Sequence, residues 1–293
     1  MDSRISTCRR CEVNSSDLTA NLYFSAAVRV AADVSLTRLL PLDALRLPLS
    51  AAVQARLLQY LALLPLAPHD HYSQRVLLAL QALGVIEPEL SPSHADDWLL
   101  ARDWTRYSFD SVAWRIRWAP RDCSRQHDVV KALFKDIEPT EDAMQTLLAL
   151  WEDLALAEAI QHAQWILAKS GYNPAWASLA TDGLRQALTR HSVNQVMYVT
   201  HLAMRSLATT HQQGGTEATR LGNVFACAVT SFAQRATVER WTIRGMARPA
   251  DLPMSTLATI FAHEVTRLDD EYLTLPPSLA ALSTAITRHR TLH

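Results

Sequence analysis

The sequence predicts a mainly α-helical protein: an N-terminal helix-turn-helix or winged-helix-like module with a short β element, followed by a C-terminal helical bundle. Three observations support this fold class. Only 7 of the 293 residues are glycine, while 49% are hydrophobic and 19% charged, which is typical of a globular chain rich in helix. Two amphipathic segments follow one another between residues 48 and 89. Helical periodicity is then nearly continuous from residue 140 onward.

The two amphipathic segments carry the clearest local signals. Ser50 is a suitable N-cap for the first helix, and prolines end it. The second helix begins at Asp70, and Gly84 stands where a left-handed residue belongs, so Val85 can close a Schellman motif. An ordinary helical hairpin has the same pattern. In the winged-helix interpretation the second helix enters a major groove, with base-edge contacts from its first turns, namely Tyr72, Ser73, Gln74 and Arg75.

The β element is predicted at residues 112–118, which read VAWRIRW. Tryptophan and isoleucine alternate there with Arg115 and Arg117, giving one apolar and one cationic face. Residues 85–86 could pair with this strand as the other arm of a wing, although the connection would be long for a compact domain. Residues 241–244 also alternate and are a second candidate partner.

The chain is expected to contain a disordered polar tail and two domains. The tail covers residues 1–17, and the winged-helix-like domain covers residues 18–121. The bundle covers residues 139–293, with the boundary near 122–138. Its first helix, from Thr140 to Gly171, is apolar almost all round and is therefore predicted to be central. Further helices are predicted at 174–191, 192–211, 216–241 and 255–272.

Two arginine clusters suggest a phosphate-binding surface. One accompanies the predicted strand, and the other follows the helix that ends near residue 241. Arginine forks match phosphate oxygens, so neighbouring clusters could follow a nucleic-acid backbone. A solvated face with ordinary ion pairs is the alternative. The residues predicted to contact phosphate are Arg115, Arg117, Arg121, Arg240, Arg244 and Arg248.

No motif predicts a cofactor or a metal site. Cys8 and Cys11 lack the second pair that a zinc ribbon requires. Glu158 and His162 lie four residues apart and could share a metal or a proton, but a hydrogen bond between them in the core or at its edge is the favoured explanation of the spacing. The sequence contains no glycine-rich nucleotide motif and no HExxH motif.

These observations favour a cytoplasmic protein without catalytic activity. The N-terminus has no apolar signal region, no apolar run reaches membrane-spanning length, and the net charge is −1, so we expect no membrane association. The leading hypothesis is a nucleic-acid-binding or regulatory adaptor. A protein-interaction subunit of a larger assembly is the alternative, and a metal-dependent enzyme built on Glu158 and His162 is the third.

Overall fold

The structure is a computed structural model of the whole chain. It describes residues 18–39, 65–88, 114–116, 139–214, 218–239 and 241–291, together with residues 128, 130, 132, 134 and 137. The described part is mainly α-helical, as predicted. The chain divides into two compact units: unit 1 comprises residues 1–62 and 70–136, and unit 2 comprises residues 63–69 and 137–293. The predicted tail and the first helix of the predicted helix-turn-helix lie outside the described residues.

Unit 1 contains helices α1 (Leu18–Leu39) and α2 (Asp70–Ala82), which contact each other. Helix α2 ends in the predicted Schellman motif. Gly84 has a φ of 70°, and its N–H donates to the Gln81 carbonyl (2.9 Å) while the Val85 N–H donates to the Leu80 carbonyl (2.9 Å). These bonds satisfy carbonyl groups that a helix end leaves without partners.

A two-stranded antiparallel pair follows α2 in unit 1. Strand β1 (Ile86–Pro88) pairs with β2 (Trp114–Ile116), and Ile86 lies opposite Ile116. The partner of the VAWRIRW segment is therefore the segment after α2. A complete winged helix stays a prediction, because the helix that would precede α2 lies outside the described residues.

Unit 2 is a bundle built around one long helix. Its described elements in chain order are α3 (Glu141–Lys169), a 3₁₀ helix (Pro174–Ala180), α4 (Thr181–Leu188), α5 (Val193–Gln213), α6 (Ala218–Val238), α7 (Thr256–Ile260), a π-helical turn (Phe261–Val265), α8 (Glu271–Thr274) and α9 (Leu279–Thr291). In the part of the chain that the structure describes, no helix has the length and apolar content that crossing a bilayer requires.

Helix α3 is the central element, as its sequence predicts. The Thr140 hydroxyl caps it by accepting from the Ala143 N–H (3.3 Å), and Gly171, with a φ of 79°, follows its end. The 3₁₀ helix, α4, α5 and α9 all pack against it. Leu147, Trp151 and other side chains around its circumference are buried, so burial on several faces stabilises it.

Helices α4 and α6 approach closely where one of them carries glycine. A Cβ atom on Gly183 of α4 would lie 2.5 Å from the Thr230 hydroxyl of α6. Likewise, a Cβ on Gly222 would lie 2.9 Å from the Trp176 ring and 3.0 Å from a Leu179 methyl group in the 3₁₀ helix. At both glycines the backbone lies against a side chain of the neighbouring helix, and a larger residue would push the two helices apart.

The predicted continuous helix at 174–191 is wrong. Its first part winds as the 3₁₀ helix, with Pro174 in its first turn and the Asn173 side chain accepting from the Ala175 N–H (3.0 Å). Residues of this tighter turn lie against Gly222. Because that contact comes from a helix distant in sequence, the local pattern does not reveal the break.

The predicted helix at 255–272 is also interrupted. Ser255 caps α7 as expected, accepting from the Ala258 N–H (3.2 Å). After the π-helical turn, the Thr266 hydroxyl donates to the Phe261 carbonyl (2.8 Å). Arg267 and Asp269 then adopt left-handed φ values of 58° and 49°, a conformation that a continuing right-handed helix does not contain.

The predicted short strand at 241–244 is wrong as well. Residues 241–249 belong to no helix or strand. They form an extended strap, whose polar backbone groups are met by the start of α5: Gln195 Nε2 donates to the Ile243 carbonyl (2.8 Å), and the Met246 N–H donates to the Asn194 carbonyl (2.9 Å). Because the strap's hydrogen bonds go to α5, it does not join a sheet.

Candidate functional site

A buried ion pair anchors the strap to α3. Arg248 donates to the carboxylate of Glu158 and to the Gln161 side-chain oxygen, and also to the Leu252 (2.6 Å) and Pro253 (3.0 Å) carbonyls. The Glu158 side chain is 0% exposed and that of Arg248 is 11% exposed. An arginine fork with several acceptors at once is fixed in place.

The protonation state of Glu158 depends on two opposing effects. Burial raises the pKa of Glu158 by penalising the charged form, and the Arg248 guanidinium opposes this rise. The burial effect prevails, so the pKa lies above its ordinary value. The second carboxylate oxygen, Oε1, is buried without a hydrogen-bond partner. The charge of a buried carboxylate like that of Glu158 is compensated only while its cation is present.

The predicted hydrogen bond between His162 and Glu158 is wrong. The Nδ1 of His162 lies 2.7 Å from the Thr200 hydroxyl, and that hydroxyl donates to the Met197 carbonyl (2.7 Å). Because the hydroxyl proton is already used, we assign the proton of the neutral imidazole to Nδ1. Burial, with Arg248 nearby, lowers the pKa of His162 to about 4.

The surroundings of this cluster are sealed and aromatic. Trp151 stacks with Tyr272 at a centroid distance of 6.4 Å, and both residues are 0% exposed. Burial, reinforced by the Glu158 charge, raises the pKa of Tyr272. Among the described residues, no group of three or more His, Cys, Asp or Glu side chains could hold a metal ion. The cluster is therefore best explained as a tether that holds the strap to α3.

The residues predicted to contact bases lie in the first turns of α2. Tyr72 is only 3% exposed, and the Arg75 guanidinium lies 4.3 Å from the centre of its ring. Ser73 and Gln74 are half-buried, and Arg75 is exposed. A buried ring cannot reach a base edge without rearrangement, so Tyr72 is better explained as a packing residue.

The structure describes the side chains of two of the arginines predicted to contact phosphate, Arg244 and Arg248, and their settings differ. Arg244 is exposed, with its guanidinium 4.7 Å from the centre of the Tyr198 ring. Arg248 is turned inward onto Glu158, so its predicted phosphate contact is not available in this structure. Arg115 lies opposite Glu87 in the strand pair. The side chains of Arg115, Arg117, Arg121 and Arg240 lie outside the described part of the structure.

A solvent-open groove of about 620 Å³ lies along one flank of α6. Arg220 and Arg235 stand near the two ends of this flank, about 22 Å apart by the helical rise. Val224, Ala228 and Phe232 line it between them. We call it the α6 groove. The described residues that line it are Ser206 of α5 with Arg220, Asn223, Val224, Cys227, Ala228, Ser231, Phe232 and Arg235 of α6.

The sequence does not indicate the α6 groove, because it predicts one apolar stripe on this helix that faces the core: Leu221, Val224, Phe225, Ala228, Phe232 and Ala236. Leu221 and Phe225 are indeed buried. Val224, Ala228 and Phe232, which belong to the same predicted stripe, are instead half-exposed. An apolar stripe too wide for one core face is the signal that could have indicated a second surface.

Comparisons with protein-family models, with curated proteins and with solved structures find no match to this chain.

Proposed function

We propose that this protein is an adaptor without catalytic activity that binds an anionic macromolecule through the α6 groove of unit 2. The observation that carries the proposal is the pair of arginines flanking an exposed, partly apolar surface. Macromolecular partners are commonly held by such a combination of apolar contact and complementary charge.

The distribution of charge along unit 2 supports an anionic partner. Residues 182–250 contain eight arginines against three acidic residues, Asp182, Glu217 and Glu239. Helix α3, by contrast, contains five acidic residues and one lysine. Arg248 is paired with Glu158, but the other seven arginines still outnumber these acidic residues, so the segment that includes α6 is cationic although the net charge of the chain is only −1. A local excess of this kind attracts anionic partners and accelerates their association.

The state of the buried cluster supports a role outside catalysis. Glu158 and His162 are both 0% exposed, and Arg248 occupies the carboxylate. A group that transfers protons must be able to reach a substrate. The cluster is better suited to fixing the strap that leads from α6 to α7.

Retention of the purified protein on immobilised heparin tests the proposal. The wild type is expected to bind at about 50 mM NaCl and to elute as salt rises, because cation–polyanion contacts release counterions. The double variant Arg220→Glu/Arg235→Glu is expected to elute at markedly lower salt. Binding to duplex and single-stranded DNA over the same salt series then shows whether nucleic acid is accepted.

The matched control is the double variant Arg190→Glu/Arg288→Glu, which has the same net charge but leaves the groove intact. It is expected to elute close to the wild type. Equal loss of retention in both double variants would mean that only net charge matters. A wild type that flows through at the lowest salt would refute the proposal.

A further inference from the structure

We infer that the α6 groove binds an amphipathic helix of a protein partner, with acidic residues near both ends of that helix. This inference rests on the proposed function and specifies the chemistry of the partner. It follows from the position of the groove on α6, its apolar middle and its charged ends.

The groove lies on α6 beside the side of the helix that packs into the core of unit 2. At about 100° per residue, the buried residues Leu221, Phe225 and Val229 lie on one side of the helix. Val224, Ala228 and Phe232 project about 60° away from them on average, with Phe232 nearest to the core side. The groove therefore borders the core-facing side of α6, where half-exposed apolar side chains meet solvent.

The middle of the groove has the pattern of a helix-packing surface. Val224, Ala228 and Phe232 are spaced four residues apart, which forms one of the ridges that helices use to interlock. Alanine between two larger side chains leaves a dip that a side chain of a second helix can fill. All three are half-exposed, so a docked helix would remove apolar surface from water.

The charged ends favour acidic residues on that helix. Arg220 and Arg235 are both exposed, and their separation of about 22 Å matches a helix of about 15 residues. Arg235 pairs with Glu239 at 3.3 Å in an exposed i,i+4 contact. Such surface pairs contribute little, so a partner carboxylate can replace Glu239 at small cost.

The same features argue against the other possible occupants. Between Arg220 and Arg235 the described lining contains no cation, whereas a strand of nucleic acid presents a phosphate at every nucleotide. A second copy docked antiparallel about Cys227 would place Arg220 of one copy near Arg235 of the other. Like charges facing each other in this way are unfavourable.

The thiol of Cys227 provides a direct readout because it is exposed within the groove. The test uses the full chain with Cys8→Ser, Cys11→Ser and Cys123→Ser and measures the rate of Cys227 alkylation by N-ethylmaleimide. The probe is a synthetic helical peptide of about 18 residues, with leucines at i, i+3, i+4 and i+7 spacing and glutamates near both ends. A second peptide has lysine in place of each glutamate.

We expect the glutamate peptide to slow alkylation about tenfold when it is present at ten times its dissociation constant, and the lysine peptide to have little effect. The Arg220→Glu/Arg235→Glu variant is expected to reverse this preference and be protected by the lysine peptide. Because reversal is a gain of binding, misfolding of the variant cannot produce it. The Arg190→Glu/Arg288→Glu control is expected to behave like the wild type.

Several results would overturn the inference. Equal protection by both peptides would indicate unspecific apolar contact. Protection by oligothymidylate but not by the glutamate peptide would identify nucleic acid as the partner. That result would agree with the proposed anionic partner and would contradict the inferred helix. Protection that rises with protein concentration alone would indicate a second copy of the chain. If no probe protects Cys227 and heparin retains nothing, the inference and the proposed function fail together.

Discussion

At the scale of single residues, Arg248 makes the decisive contact of the strap. It joins Glu158 and Gln161 of α3 to two carbonyls beyond the strap. A buried ion pair is not necessarily stabilising compared with an apolar pair of similar size, but removing one partner leaves a buried charge without compensation. Removing Arg248 is therefore expected to reduce stability more than removing an arginine on the surface.

Replacing Arg248 with alanine is expected to lower the free energy of unfolding by about 3–5 kcal/mol, because Glu158 would stay buried without its cation. Urea denaturation at neutral pH measures this change. Arg244→Ala is the matched control from the same strap, and its exposed side chain should cost less than about 1 kcal/mol. Equal losses in the two variants would contradict the account of the tether.

His162 makes stability depend on pH in the mildly acidic range. Its pKa is about 4 in the folded protein against 6.5 in the unfolded chain. Above pH 6.5 neither state holds the proton, and the full stability is present. As pH falls, the unfolded chain binds the proton first, so stability is lost, by about 2 kcal/mol between about pH 7 and about pH 4.5.

The variant His162→Gln cannot take up this proton. Its free energy of unfolding should therefore fall less steeply with acid, and its difference from the wild type should shrink by about 2 kcal/mol over the same interval. Urea titrations at several pH values measure both curves. Parallel curves for wild type and His162→Gln would rule out the assigned burial of a neutral imidazole.

At the scale of elements, the contact between α4 and α6 depends on Gly183. Gly183→Ala would bring a methyl group to 2.5 Å from the Thr230 hydroxyl and 3.3 Å from its Cα. We expect a loss of about 1–3 kcal/mol from this overpacking, measured by urea denaturation. Adding Thr230→Ala removes the nearest atom, so the double variant should recover part of the loss.

Gly245→Ala is the control for this experiment. A Cβ at Gly245 would meet only Asn194 Cβ, at the ordinary distance of 3.6 Å, so its effect should stay within about 0.5 kcal/mol. If Gly183→Ala were equally harmless, or if Thr230→Ala added to its cost, the helices could not be as close as the structure has them.

The sequence predicts the features of helices and turns that are determined by neighbouring residues in the chain. The Thr140 cap, the central α3 helix and the Schellman motif at Gly84 all follow from residues within a few positions of one another. The change from 3₁₀ helix to α-helix between Ala180 and Thr181 depends on packing within the folded unit, and the left-handed residues Arg267 and Asp269 leave no signal in the periodicity. Periodicity alone therefore joined segments that tertiary contacts divide.

The candidate site was predictable only in part, for the same reason. The arginine density was visible in the sequence, but the partner of each arginine was not. Arg248 turns inward because Glu158 lies across from it, ninety residues earlier in the chain. Val224 and Phe232 fit the same helical stripe as true core residues, and only the packed bundle shows that they line an exposed groove.

At the scale of the whole molecule, charge is segregated along unit 2. The acidic α3 helix forms its centre, and the arginine-rich segment 182–250 carries the groove. Segregation of this kind gives a nearly neutral chain a locally cationic surface. We therefore propose unit 2 as the part of the chain that binds an anionic partner.

Amide hydrogen exchange of the full chain, with and without a short heparin oligosaccharide, tests this central claim most directly. Binding in the α6 groove should slow exchange in residues 222–235 and in the part of α5 around Ser206, since a ligand that binds only the folded state suppresses local opening. Slowed exchange confined to α2 or to the strap at 241–249, with α6 unchanged, would contradict the account.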